Sequence, residues 1–309
     1  MESPALLFAR EPDGLSALEY NLIENNHRHN TSHAIKRFIR SCRYGNGTLF
    51  VRRYRRLFGK AYKAASREYV HELTELCCRS RWRYDRMDNG PLFYTVAALV
   101  ANKLSKNRQK KAVRKLRDFI LMLWGQKGYF TALSREKFLC ATRNYTSALL
   151  RAGNRDNCGF AAVKNMIPAK NAARYLNYFE NCCAVVLDRD PRDIYIADFT
   201  NAHSHCDPET FCRWYRITHG AEPGGPVLHL WLEELVYDYA NAERRLAEYV
   251  GLDAGKHTRR YSRFDPRQET ERTRLWLRHP ELNAEIRYIE QELAELLCPY
   301  NAEKEQEKC

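Results

Sequence analysis

Apolar residues recur three and four positions apart through the first half of the chain, then give way to short apolar runs separated by helical stretches. Leu15, Leu18, Leu22 and Ile23 share one helical face. So do Ala34, Ile35, Phe38 and Ile39, with Asn30-Thr-Ser32 placed to cap them. Further amphipathic stretches run from Tyr62 to Leu76, from Pro91 to Leu104 after the Asn89-Gly90 turn, from Ala112 to Trp124 and from Arg135 to Leu150. Residues 12 to about 155 are therefore expected to be mainly helical, with Gly45-Asn-Gly-Thr48 as a turn between helices. No segment repeats at a fixed period.

From about residue 158 the pattern alternates. Phe160 to Lys164 reads as a strand, Asn171 to Phe179 as a helix and Ala184 to Asp188 as a strand. A helix starts at Ile194, a loop runs through Asp207, and Pro208 to Thr218 is helical. After a Gly220 to Pro226 loop come a strand from Val227 to Leu232 and a helix from Ala240 to Val250, which Gly251 can close in a left-handed cap. Strand and helix in alternation predict a parallel sheet with crossover helices. The expectation is one α/β domain over residues 1–300, a helical N-terminal half on a C-terminal sheet, and a charged tail over 301–309.

The chain has 309 residues, enough for a large core, and 44% hydrophobic and 12% aromatic content argues for a folded globule. Against 38 acidic residues stand 51 basic ones, a net charge of +13, which calls for anionic company: nucleotide, nucleic acid, acidic glycan or a membrane surface. No apolar run reaches the roughly 18 to 20 residues of a spanning helix, and no basic-then-apolar leader opens the sequence, so a cytoplasmic protein is expected. The 11 cysteines are scattered or adjacent (Cys77-Cys78, Cys182-Cys183), which suits free thiols better than a disulfide framework.

The densest chemistry is Ala184-Val-Val-Leu-Asp-Arg-Asp-Pro-Arg-Asp193, a buried-strand pattern that ends in charge. In open α/β sheets ligands bind at the carboxyl ends of strands. Arg189 and Arg192 lie there in a frame stiffened by Pro191, and planar guanidinium forks suit phosphate. The same pattern also fits a solvated strand end with Arg–Asp pairs.

Arg189-Asp-Pro-Arg-Asp193 resembles the 3′-phosphate-binding segment, strand then Arg-x-Pro-[Arg/Lys]-Asp then helix, of sulfotransferases that use 3′-phosphoadenosine-5′-phosphosulfate (PAPS). Val163-Lys164 and Pro168 resemble the strand and loop before it. Val227-Leu-His-Leu-Trp-Leu-Glu-Glu-Leu-Val236 is similar to a later strand and its Glu-Asp-Leu-Val turn. Val250 to Leu252, Tyr261 to Pro266, Leu275-Trp276 and Ile286 to Leu293 follow in the family's order, and the segment from Pro12 to Phe38 looks like a bacterial branch of it. The resemblance implies a P-loop-type three-layer fold, PAPS as co-substrate with no metal, Arg189 and Arg192 on the 3′-phosphate, and Lys164 beside the sulfuryl group, where it would offset developing charge.

The chain also departs from that pattern. The family's first strand and the phosphate-binding loop after it have no counterpart before Pro12, which implies a shortened version or a relative that has lost activity. Met166 stands where cytosolic members carry a catalytic histidine. Ala197 stands where a serine usually contacts the 3′-phosphate, and Glu269-Thr-Glu-Arg272 replaces a late glycine-rich or Ser-x-x-Asn pattern. The glycan-directed branch takes its base from an early helix, where Glu19 and Glu24 are the candidates and nothing in the spacing selects either.

His27, His29 and His33, and His203-Ser-His-Cys206, have metal-binding residue types without a second pair at zinc-site spacing, and read as surface histidines. The basic runs Arg52 to Arg56 and Lys106 to Lys115, with Tyr54, Trp82 and Tyr84 nearby, fit a solvated helix face first, an acidic acceptor second and nucleic acid third. The working expectation is transfer of a sulfuryl group from PAPS to a hydroxyl or amine of a carbohydrate or small acceptor. The alternative is a non-catalytic module on the same fold that binds anions or nucleic acid. No motif selects the acceptor or an oligomeric state.

Overall fold

The computed structural model describes residues 11–47, 58–80, 126–154, 158–162, 171–200, 206–219 and 227–302. The chain divides into two compact units, Met1–Asn165 and Met166–Cys309. Among the described residues helices dominate, with two small two-stranded sheets. The α/β class holds in that coarse sense. No described helix is long and apolar enough to cross a membrane.

In the first unit α1 (Glu11–Glu19) runs into a π turn (Tyr20–Glu24), followed by α2 (Arg28–Gly47) and α3 (Ala61–Glu72). An antiparallel pair, β1 (Leu76–Ser80) and β2 (Gln126–Phe130), precedes α4 (Arg135–Gly153). The last of these shows why the helical pattern is legible. Ser134 caps it by accepting the Lys137 N–H at 3.3 Å, and Phe138, Ala141, Thr142, Tyr145, Thr146 and Leu149 are buried along one face. That face packs on α3, where the Tyr69 and Tyr145 rings stack at 4.6 Å and Phe38 of α2 meets both edge-on at 5.3 and 5.8 Å. The tyrosine hydroxyls remain satisfied in the core, Tyr69 with Thr142 at 2.8 Å and Tyr145 with Ser66 at 3.4 Å.

Three local expectations are corrected here. Helix α2 continues through Gly47, so no turn separates helices at Gly45; the helical hydrogen-bond ladder tolerates glycine when packing favours it. Helix α3 stops at Glu72, and Leu76 already belongs to β1. Residues 160–162 form no strand, and Val163 and Lys164 lie outside the described residues, as do the predicted helices over 91–104 and 112–124.

In the second unit α5 (Ala172–Leu176) leads to β3 (Ala184–Asp188). Then come α6 (Pro191–Ile194), a π turn (Tyr195–Phe199), α7 (Pro208–His219) and β4 (Val227–Trp231). Strands β3 and β4 pair in parallel, Ala184 opposite Val227 through Asp188 opposite Trp231, as the alternation predicts. Helices α8 (Leu232–Tyr237), α9 (Tyr239–Val250), α10 (Pro266–Glu269), α11 (Asn283–Glu292) and α12 (Pro299–Ala302) follow. A core of Tyr195, Ile196, Phe211, Cys212, Tyr215, Ile286, Ile289 and Leu293 joins the π turn to α7 and α11.

Gly251 closes α9 at φ +70°, where a side chain is strained whatever the space around it. Gly14 sits inside α1 with nothing within 4 Å of an added Cβ. Replacing each by alanine should therefore have opposite signs. In urea unfolding, Gly251→Ala is expected to cost about 1–2 kcal/mol, whereas Gly14→Ala should gain about 0.5–1 kcal/mol. Equal shifts in one direction would contradict both backbone assignments.

Candidate functional site

The carboxyl end of β3 feeds directly into the charged pentapeptide, and α6 begins inside it with Pro191 in its first turn. Asp190 is the cap. Its Oδ1 accepts the Arg192 backbone N–H at 3.0 Å. The same carboxylate takes the Arg192 guanidinium in a two-point pair, Nε to Oδ1 at 2.9 Å and an Nη to Oδ2 at 2.8 Å. The other Nη of Arg192 donates to Glu290 of α11 at 2.7 Å, and the guanidinium lies 4.0 Å from the centre of the Trp276 ring. Burial works against the charge of Arg192, but Asp190 and then Glu290 more than offset it and hold its pKa above the ordinary value. Arg192 is thus a buried brace, with three of its five N–H donors in these bonds. The resemblance led to the expectation of a phosphate contact here; the partners it has are Asp190 and Glu290.

Asp193 secures the other side of the loop. It is fully buried, and its two oxygens accept the backbone N–H groups of Arg274 and Leu275, each at 2.7 Å. Arg274 has φ +54°, a left-handed conformation that a non-glycine residue adopts only when held. From α8, Glu233 accepts the Asp190 N–H at 3.0 Å, while its second oxygen is buried with no hydrogen bond of normal geometry among the described residues. Burial pushes the Glu233 carboxyl up to about 7, and Asp190 and Asp193 add to the shift. Burial likewise moves Asp193 to about 6, again with Asp190 adding to it. The Cys298 thiol is driven well above its usual range by burial and by the facing Glu233.

Arg189 takes the opposite course. One of its Nη groups donates to the Arg272 carbonyl, and its buried Nε has no hydrogen-bond partner among the described residues. The strand end and the Glu269–Arg272 turn are thereby brought together. Arg278 supports that turn through the carbonyls of Thr270, Glu271 and Thr273.

Other candidates fall elsewhere. Glu19 is buried in α1 and paired with the Nε of Arg135 at 2.9 Å; Glu24 is exposed at the end of the π turn. Lys164, the two basic runs, His203 and His205 lie outside the described residues. His27 and His29 stack on each other at 5.0 Å, and no group of three or more metal-ligating side chains among the described residues could hold a metal.

Sequence reasoning overlooked a second cluster. Asp188, the last residue of β3, receives His229 Nε2 on one carboxylate oxygen at 2.8 Å and His219 Nε2 on the other at 3.3 Å. His219 ends α7 and stacks on Tyr215 at 4.1 Å; its Nδ1 lies 2.7 Å from the Thr218 hydroxyl. The signal was the polar His229 at the centre of an otherwise apolar strand, in register with Val186 two residues before Asp188. No family model matches the chain, and neither a curated protein nor a solved structure matches it.

An acid whose pKa is higher folded than unfolded takes up a proton on folding. For Glu233 the stability is full below about its ordinary 4.5, falls as pH rises, and levels off above about 7. The loss amounts to roughly 3 kcal/mol. Glu233→Gln keeps the acceptor for the Asp190 N–H and removes the titration. Urea unfolding at pH 5 and pH 8 should show the variant gaining on the parent by roughly 2–3 kcal/mol between the two. A constant difference would show that Glu233 is not desolvated.

Proposed function

We propose that the chain is a sulfotransferase-like protein that binds PAPS at the carboxyl end of β3 and passes its sulfuryl group to a hydroxyl or amine of a carbohydrate or small acceptor. The observation that carries the reading is Arg189. It follows a parallel strand directly, keeps a buried Nε with no hydrogen-bond partner among the described residues, and reaches the 269–272 turn. A buried donor without a partner costs about 1–3 kcal/mol. A ligand oxygen delivered to that end of the sheet would recover part of that cost, and a phosphate oxygen would do so with charge.

Rigidity supports the same reading. Asp190, Asp193, Arg192 and Glu233 fix the loop from four sides, so Arg189 is presented without an ordering cost at binding. On this reading the nucleotide's 3′-phosphate meets Arg189, and Lys164 carries the sulfuryl oxygens. A second reading, a non-catalytic anion-binding module on the same frame, is favoured by the internal pairing of Arg192 with Asp190 and Glu290.

The two arginines should therefore separate in experiment. Arg189→Ala is expected to weaken binding of adenosine 3′,5′-bisphosphate by on the order of 1.5–3 kcal/mol, read by calorimetry, with the unfolding curve little changed. Arg192→Ala should instead destabilise the second unit by about 3–5 kcal/mol, because it strands the buried Asp190 carboxylate. Unchanged nucleotide affinity in Arg189→Ala would reject the assignment. Sulfuryl transfer from labelled PAPS to hydroxyl and amine acceptors would separate the enzyme from the binding module.

A further inference from the structure

Between α9 and α10 the chain reads Gly255-Lys-His-Thr-Arg-Arg-Tyr-Ser-Arg263, with Lys256, Arg259, Arg260 and Arg263 and no acidic residue. All four basic residues are exposed. A basic run alone is no more than a solvated surface, but this one is held in place. Tyr239 and Glu243, four residues apart and so on one face of α9, fasten it. Glu243 lies 2.6 Å from His257 Nδ1 and 3.3 Å from Arg260 Nε. Tyr239 stacks on Phe264 at 6.3 Å and meets Tyr261 at a tilt at 5.3 Å. The ends are pinned as well. Asp253 accepts the Gly255 N–H at 2.9 Å, and Asp265 caps α10 by accepting the Arg267 N–H at 3.0 Å.

Tyr261 stands among these charges in an unusual state. Its φ is +63°, a left-handed conformation that a residue with a side chain adopts at a cost. It is also 54% exposed, so its ring returns little of that cost by burial. Strain held at an exposed aromatic is a mark of work done outside the fold. The ring is backed on one side by Tyr239, and arginines lie two residues before it and two after it. Glu243 and Asp253 offset part of the positive charge, but the Lys256 side chain is 84% exposed at 3.8 Å from Asp253, which leaves that pair weak. The loop therefore presents a flat aromatic face flanked by guanidinium groups.

We propose that the loop over residues 253–265 is a binding surface for single-stranded nucleic acid. A base stacks on Tyr261, and Lys256, Arg259 and Arg263 meet the phosphates on either side. Stacking platforms set in positive charge hold single strands with little regard to sequence, because every base has a π face. The aromatic decides between polyanions. A duplex keeps its bases stacked inside, and an acidic glycan has charge but no π face, so neither uses Tyr261 in this way. The surface does not involve Arg189, so it stands or falls apart from the nucleotide reading above.

The test is fluorescence anisotropy of the full chain with a labelled single-stranded DNA of mixed sequence, about 12 nucleotides long, over a series of salt concentrations. Tyr261→Gly should bind about tenfold more weakly than the parent with an unchanged salt dependence, whereas Tyr261→Phe should stay within about twofold. Glycine suits a φ of +63°, so the loss in Tyr261→Gly reports the missing ring and not a broken backbone. Arg259→Gln combined with Arg263→Gln should weaken binding and make the slope of log Kd against log salt shallower by about 1.4, as two lost phosphate contacts require. The duplex of the same sequence and heparin should bind Tyr261→Gly as they bind the parent. Parent-like affinity of Tyr261→Gly for the single strand, equal losses in Tyr261→Gly and Tyr261→Phe, or no binding by the parent at low salt would overturn the proposal. A loss of heparin affinity in Tyr261→Gly as large as that for the strand would reassign the face to acidic glycans. Arg189→Ala should bind the strand like the parent; a tenfold loss there would move the strand to the end of β3 and reject the loop.

Discussion

The Arg192–Asp190 pair sets the rest of the second unit in place. Removing a guanidinium and its carboxylates from water is costly, and the cost is met only when every donor and acceptor finds a partner in good geometry. Here the partners come from four directions: the loop itself through Asp190, α11 through Glu290, α8 through Glu233 and the ring of Trp276. Each contact fixes an element that is distant in sequence. Asp193 extends the frame to Arg274 and Leu275, which are 81 and 82 residues away. The loop at the end of β3 is thus the point where the C-terminal helices are tied to the sheet.

Such a frame explains why two arginines three residues apart have opposite roles. Arg192 lies within the first turn of α6, where its side chain folds back onto the capping Asp190 and under Trp276. Arg189 lies between the end of β3 and the cap, and projects to the turn that ends at Arg272. Neither fate follows from residue type. It follows from which residue precedes the helix cap and which follows it, and the motif's Pro191 fixes that boundary.

Much of the second unit was legible in the sequence because its signals are local. The β3 boundaries, the α7 helix, the parallel partner strand and the Gly251 cap rest on short apolar runs, on prolines and on one glycine, and each acts within a few residues. What escaped depends on contacts between distant segments. Strands β1 and β2 carry Leu-Cys-Cys-Arg-Ser and Gln-Lys-Gly-Tyr-Phe, neither of which alternates cleanly, and their pairing spans about fifty residues of chain. The burial of Arg192 needs Glu290 and Trp276, and the Asp188 cluster needs His219 from another helix. No period in the sequence announces such meetings. The turn expected at Gly45 failed for the converse reason: a local glycine signal was outweighed by the helix that continues through it.

The electrostatics of this strand end run against those of the whole chain. The protein carries a net charge of +13, yet Asp188, Asp190, Asp193 and Glu233 crowd the carboxyl end of β3 against Arg189 and Arg192. Such crowding is tolerable only where part of the acidic charge is cancelled, and burial does this. The Glu233 carboxyl is pushed up to about 7, which removes one negative charge from the frame below that pH, and Asp193 is moved to about 6 by the same cause. Both carboxyls take up protons on folding, so the loop should hold more firmly as pH falls through that range. Arg189, bonded to the Arg272 carbonyl, stands at the strand end beside this frame, and Arg192 is held inside it.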